Sequence, residues 1–231
     1  MAPPCLLRRV RLRNYKSIGK SDVRMAALSF LVGPNGSGKS NFLDALRFVA
    51  DGLSTTLEYA LRERGGIAEV RRRSRGHPRH FAIRLDLDLP SGAGGHYAFS
   101  IGSKERFGFS VEREECVVDG PEPLRREWYR VVRGEASGSP QTLPRASADR
   151  LFLVSASNLE EFRGVHDALS RMGFYNLNPA AIRDLQAPDA GALLARDGGN
   201  IASVVERLEA RGPETLRRIE EFLEVIVPGM R

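Results

Sequence analysis

Polar and apolar residues alternate from the start of the chain. In LLRRVRLRNYKSI, Val10 and Leu12 fall on one face and Arg9, Arg11 and Arg13 on the other, which predicts a half-buried strand. SDVRM (21–25) is expected to pair back toward the next apolar run. That run, ALSFLVG (27–33), is short, uninterrupted and well bounded, and it predicts a buried strand rather than a helix. The period then changes: NFLDALRFVADGL places Phe42, Leu43, Leu46, Val49 and Leu53 at helical spacing. TTLEYALRERGG predicts a second short helix closed by Gly65 and Gly66.

Four strand-like runs follow, HFAIRLDLDLP, GHYAFSIG, FGFSVEREECVV and EWYRVVRG, with PSGAGG as a hairpin connection between the first two. They predict an antiparallel sheet inserted after the first helix. EASGSPQTLPRASADR reads as a polar loop, and LFLVSAS (151–157) as a returning buried strand. Beyond Asn158 the pattern is helical: LEEFRGVHDALSRMG, NPAAIRDL, IASVVERLEARG and PETLRRIEEFLEVIV each open on Pro, Gly or Asn or close on Gly or Pro. The expected organisation is therefore α/β, with an N-terminal lobe over 1–157 and a helical lobe over 158–231.

Composition narrows the class. The chain has 231 residues, 42% of them hydrophobic and 28% charged, as in a soluble globular protein. No apolar run is long enough for a membrane span, and no signal-peptide pattern is present. Cys5 and Cys116 match no metal spacing and point to a reduced, cytoplasmic setting. Net charge is +6, and 31 of the 35 basic residues are Arg, a bias that a GC-rich genome also produces. The densest cluster lies between Arg62 and Arg79, with seven Arg against two acids. Its core, Arg71, Arg72, Arg73 and Arg75, is a candidate contact for the phosphates of DNA or RNA; the alternative is a solvated or acid-paired loop.

The most specific chemistry is GPNGSGKSN. Residues Gly33, Pro34, Asn35, Gly36, Ser37, Gly38, Lys39 and Ser40 fit G-x-x-x-x-G-K-[ST] without mismatch, ahead of a predicted helix. The glycines let successive backbone N–H groups face phosphate oxygens, and the helix adds the positive end of its dipole. Lys39 would neutralise the β- and γ-phosphates of ATP, and the Ser40 hydroxyl would ligate Mg²⁺. Nucleotide binding is the firmest expectation here.

The order of parts narrows the kind of machine. The strand ending in Asn14, Tyr15, Lys16 and Ser17, the loop followed by Asn41, the antiparallel insertion and the helical region together resemble the ABC-type ATPases of the SMC/RecF/OLD group. The stretches FYNLNPAAIRDLQ, LLARDGGNIASVVERL and RIEEFLEVIVPGM look like those of bacterial predicted AAA-family ATPases of this group. The resemblance implies a P-loop core in which two nucleotide sites form between two subunits, with ATP closing a homodimer. It further implies DNA or a partner protein such as a nuclease as the thing gripped, and roles in DNA repair or anti-phage defence. It puts Lys16 and Ser17 near the nucleotide, although both also suit the end of a surface strand. In such ATPases a loop Gln helps hold Mg²⁺ and water; here Asn176 or Asn178 would have to substitute, or else simply cap a helix before Pro179.

Hydrolysis on that template also needs an apolar segment ending in Asp and Glu, a turn like LSGGQ or LSDGT, and a switch His. LFLVSAS carries no acid, LSRMG and ASGSP are not such turns, and His77, His80, His96 and His166 all come too early. VIVPGMR in relatives introduces a second half. The expectation is an N-terminal half that binds nucleotide and does not hydrolyse it alone. A nucleotide-sensing or interaction module without catalysis is the competing reading. A small-molecule kinase fits poorly with an antiparallel insertion so soon after the loop helix.

Overall fold

Alternation becomes a seven-stranded sheet. In the computed structural model, which describes residues 6–74, 76, 78–89, 91–104, 108–119, 126–227 and 229, the strands are β1 Leu7–Tyr15, β2 Ile18–Arg24, β3 His80–Asp88, β4 Gly94–Ser103, β5 Phe109–Asp119, β6 Arg126–Val132 and β7 Glu135–Gly138. Their order is β2-β1-β3-β4-β5-β6-β7, and every pairing is antiparallel. One face buries Val10, Leu12, Phe81, Ile83, Leu85, Tyr97, Phe99 and Tyr129; the other carries the arginines. At Gly95 the strands approach so closely that a Cβ would stand 2.2 Å from the Val117 carbonyl oxygen, which only glycine tolerates.

The helix after the loop, α1 Lys39–Ser54, lies on the apolar face. Phe42, Leu46, Val49 and Leu53 are buried as their spacing predicts, whereas Leu43 is exposed. Phe48 meets Tyr15, Phe81 and Phe99 through ring contacts at 5.5–6.3 Å, and burying such a ring contributes roughly 2–3 kcal/mol. Two short helices follow, α2 Leu57–Arg62, capped by the Thr56 hydroxyl, and α3 Ile67–Val70.

β5 carries a register shift: Ser100 pairs with Arg113, but Ile101 pairs with Val111. The extra residue, Glu112, reverses the facing of everything after it. Glu114, Cys116 and Val118 therefore point into the core, and Arg113 and Glu115 point out. The buried Glu114 carboxylate accepts hydrogen bonds from the hydroxyls of Tyr97 (3.0 Å) and Tyr129 (2.9 Å) and from the backbone N–H groups of Phe152 (2.6 Å) and Leu153 (2.8 Å).

Four expectations are corrected. ALSFLVG is not a strand: residues 25–34 carry no regular structure, and Leu28, Phe30 and Val32 are 72%, 78% and 89% exposed. An apolar run is buried as a strand only where neighbouring strands and a covering layer meet it, and no described strand pairs with this one. SDVRM accordingly pairs, within β2, with β1 instead. LFLVSAS is a helix, α4 Phe152–Ala156, because Glu114 accepts its first N–H groups; a short apolar run does not distinguish the two by period. The start of the expected polar loop EASGSPQTLPRASADR is strand β7, which extends the sheet from β6. PSGAGG does form the β3–β4 connection, with Gly92 at φ 85°, although Pro90 lies outside the described residues.

Two compact units result, residues 1–172 and 173–231. The division falls later than the expected 157 because α5 Glu160–Ser170 buries Phe162, Val165 and Leu169 within the first unit, with Phe162 against the Tyr129 ring at 5.0 Å. The second unit holds α6 Pro179–Arg183, α7 Ile201–Arg211 and α8 Pro213–Ile226. Its polar centre is Asn200, which donates to Asp189 (2.7 Å) and the Leu193 carbonyl (3.0 Å) and accepts from the Ala195 N–H (2.6 Å).

Candidate nucleotide-binding site

The loop of residues 33–40 is built by glycine at two left-handed positions, Gly36 (φ 80°) and Gly38 (φ 95°). Ser37 N–H closes a turn onto the Pro34 carbonyl at 3.3 Å. Gly38 is the N-cap of α1, with no side-chain cap, and the first turn contains no acid. The N–H groups of that turn have no acceptor within the helix, as in any helix, so the end is open to an anion. The Lys39 ammonium folds back and donates to the carbonyls of Gly33 (2.7 Å) and Pro34 (2.8 Å) and to Ser37 Oγ (3.4 Å). Asn35 and Ser40 are exposed at the loop surface.

The end of β1 reaches this loop through a kink. Asn14 (φ 55°) and Lys16 (φ 46°) both adopt left-handed backbone around a fully buried Tyr15. Asn tolerates this; for Lys it costs on the order of 1–2 kcal/mol. Asn14 Nδ2 donates to the His80 carbonyl (3.3 Å), and Lys16 N–H to the Val70 carbonyl (2.7 Å). The kink sets Ser17 beside the loop helix: Asn41 Nδ2 donates to Ser17 Oγ at 2.7 Å, and Ser17 Oγ lies 3.6 Å from a Cβ built on Gly38.

Lys16 is not free in this arrangement. Its ammonium pairs with Asp44 at 2.6 Å, one turn into α1. Asp44 also receives the Tyr15 hydroxyl (2.9 Å) and Arg64 Nε (3.0 Å), and Arg64 reaches Asp51 at 2.9 Å. Burial pushes the Asp44 carboxyl up, but the Lys16 hydrogen bond and the Arg64 charge outweigh it and hold the group below its ordinary value. Burial beside Asp44 pushes the Tyr15 phenol far up. Sequence reading missed Asp44 and Arg64. The only available signal was an acid at helical spacing from the loop, which also suits a solvated face.

The remaining polar side chains are engaged in local structure. Asn178 Oδ1 accepts the Ala180 N–H at 3.0 Å and so caps α6. Gln186 Oε1 accepts the Ala202 N–H in the first turn of α7. The arginine cluster is not one surface: Arg71 turns onto the Pro78 carbonyl (2.8 Å) with its Nε buried, Arg72 lies across Gly19, and Arg73 pairs with Glu69. Arg75 lies outside the described residues.

The profile of the family described as "AAA domain, putative AbiEii toxin, Type IV TA system" matches residues 28–225. The chain belongs to this AAA domain family. A solved structure described as "Structural biochemistry of ATP-driven dimerization and DNA stimulated activation of SMC ATPases" is similar over 94% of this chain and 99% of its own, at 16% identity and a TM-score of 0.36. No curated protein matches the sequence.

The loop of this AAA domain fits a triphosphate: an uncapped, acid-free helix start, left-handed glycines and a lysine within reach of the loop's own carbonyls. Among the described residues no group of three or more His, Cys, Asp or Glu could hold a metal. An ion here would take the Ser40 hydroxyl, with nucleotide oxygens and water completing its shell. No described helix is long and apolar enough to cross a membrane.

Proposed function

We propose that this AAA domain is the ATP-binding part of an SMC/RecF-like ATPase, in which ATP joins two subunits and the joined state grips DNA or a partner protein. The observation that carries the reading is the convergence of Lys39, Ser40, Asn41 and Ser17 on one uncapped, acid-free helix start, with Lys16 held one turn further in on Asp44. Backbone N–H groups of residues 36–40 would cradle the phosphates. Lys39 would exchange its carbonyl acceptors for phosphate oxygens, and Ser40 would face Mg²⁺. The metal supplies charge neutralisation of the phosphates when bound. A defence-type role, which the family's description as a toxin also suggests, fits a nucleotide-controlled grip.

Hydrolysis needs an acidic pair to orient water and a turn that closes on the γ-phosphate, and the sequence carries neither. We infer that turnover depends on a further polypeptide. The exposed run Leu28, Phe30 and Val32 supports this, because its strand-like pattern awaits neighbours. A nucleotide-sensing module is the second reading. It is favoured by the pairing of the acids on α1: Asp44 is held by Lys16 and Arg64, and Asp51 by Arg64 and Arg47.

Lys39→Ala should reduce Mg-ATP affinity by more than about tenfold, the cost of one charge-assisted contact, in a fluorescent-nucleotide titration. An unchanged affinity would remove the site assignment. ATP turnover with and without DNA separates the two readings: DNA-stimulated turnover supports the ATPase, and binding without turnover under any addition supports the sensor.

A further inference from the structure

The outward face of the sheet can be read as rows running across the strands, because antiparallel partners point the same way. One row is Asp22, Arg11, Arg84, Ala98, Glu115 and Arg130. Its charges are balanced. Asp22 pairs with Arg9 (2.5 Å), Asp86 with Arg11 (3.1 Å) and Arg84 (3.0 Å), and Glu115 with His96 (2.7 Å) and Arg130 (2.5 Å). The next row is Lys20, Arg13, Ala82, Ser100 and Arg113. Here the three cations are exposed and have no ion pair among the described residues. Arg72, lying across Gly19 next to Lys20, extends the row. Of the acids that line the same cleft, Asp22 and Glu115 are paired in the first row, Glu114 is buried in the core, and Glu112 is displaced over Gly102 by the bulge.

We propose that this second row is a trough for the phosphodiester backbone of a nucleic acid. It lies within a cleft of about 1280 Å³ over the sheet. Arg13 and Arg113 stand three strand spacings apart, ~14 Å, over a floor of Ala82 and Ser100, with Ala98 of the first row beside it. The small floor lets a backbone come down to the sheet while long side chains close on it from both sides. Phosphate is favoured over an acidic protein because the trough offers cations over a floor of small side chains, with Val132 as the one exposed large apolar side chain among the described residues that line it. A protein interface centres on apolar and aromatic anchors, whereas a nucleic-acid interface is polar and positive. The bulge makes the trough. By reversing the facing of β5 it turns Arg113 outward and sends Glu114 into the core.

This surface is separate from the nucleotide loop but rests on the reading that the domain grips DNA. The test is the combined variant Arg13→Gln, Lys20→Gln, Arg113→Gln in the full chain, against labelled duplex and single-stranded oligonucleotides over a salt titration. Neutralisation should weaken binding for all sequences and lower the slope of log affinity against log salt by up to about 2.7 on duplex, about 0.9 per lost phosphate contact. The charge-conserving variant Arg13→Lys, Lys20→Arg, Arg113→Lys should retain slope and affinity, and ATP affinity should be unchanged in both variants. A parent that binds no oligonucleotide, with or without ATP, overturns the DNA-grip reading and this proposal together. A parent that binds, with the neutral variant matching its slope, overturns the trough alone. An acidic polypeptide that competes as well as an oligonucleotide of equal charge would overturn the phosphate assignment.

Discussion

Replacing Glu114 by Gln tests the buried carboxylate at the junction of β4, β5, β6 and α4. Burial pushes this carboxyl up from 4.5 to about 6, against the hydrogen bonds from Phe152, Leu153, Tyr129 and Tyr97 that favour its charged form. The folded protein thus binds a proton more tightly than the unfolded chain. The group's contribution is fully present below pH 4.5 and is lost as pH rises through about 6, so stability falls across that window. At 1.36 kcal/mol per pH unit the fall is about 2 kcal/mol. A Gln side chain does not titrate and abolishes this dependence. It also has one accepting oxygen where two backbone N–H groups converge, and the N–H that faces its amide nitrogen is left unsatisfied at a cost of about 1–3 kcal/mol. Urea unfolding of parent and Glu114→Gln should be measured from pH 4 to 7, ~1 unit apart. The variant should be less stable at pH 4, and the gap should narrow by about 2 kcal/mol by pH 7. A gap that stays constant with pH would refute the argument from burial.

Asp44→Ala strips Arg64 and Lys16 of a shared partner and should destabilise the fold by about 3 kcal/mol in urea unfolding; a loss below about 1 kcal/mol would show that the network is replaceable. Gly95→Ala forces a methyl group onto the Val117 carbonyl oxygen and should cost more than about 2 kcal/mol, with a native-like melting temperature counting against the close strand approach. Phe30→Ser with Val32→Ser removes exposed apolar surface, so it should raise the soluble yield and leave stability within about 0.5 kcal/mol. A marked drop in melting temperature would mean that these side chains are packed.

Much of this molecule is determined locally. The alternation of Val10 and Leu12, of Phe81 to Leu87 and of Tyr97 to Ile101 was legible as half-buried strands because each strand shows one face to a core. The helix from Lys39 was legible because one stripe of it packs on those strands. The phosphate loop needs only its own glycines and the helix that follows, so its spacing announced it. Three features were decided by tertiary structure. ALSFLVG has a strand's sequence, but strands exist only in pairs, and no described strand takes it as a partner. LFLVSAS became a helix through a carboxylate 38 residues earlier, which no local period encodes. That carboxylate is inside only because one extra residue at Glu112 changes the register of β5. A side-chain period of two makes a strand's facing sensitive to a single insertion, so the same shift buries Glu114 and exposes Arg113. Which charged residue goes in and which stays out is therefore fixed by the partner strand's hydrogen bonds, not by the strand's own sequence.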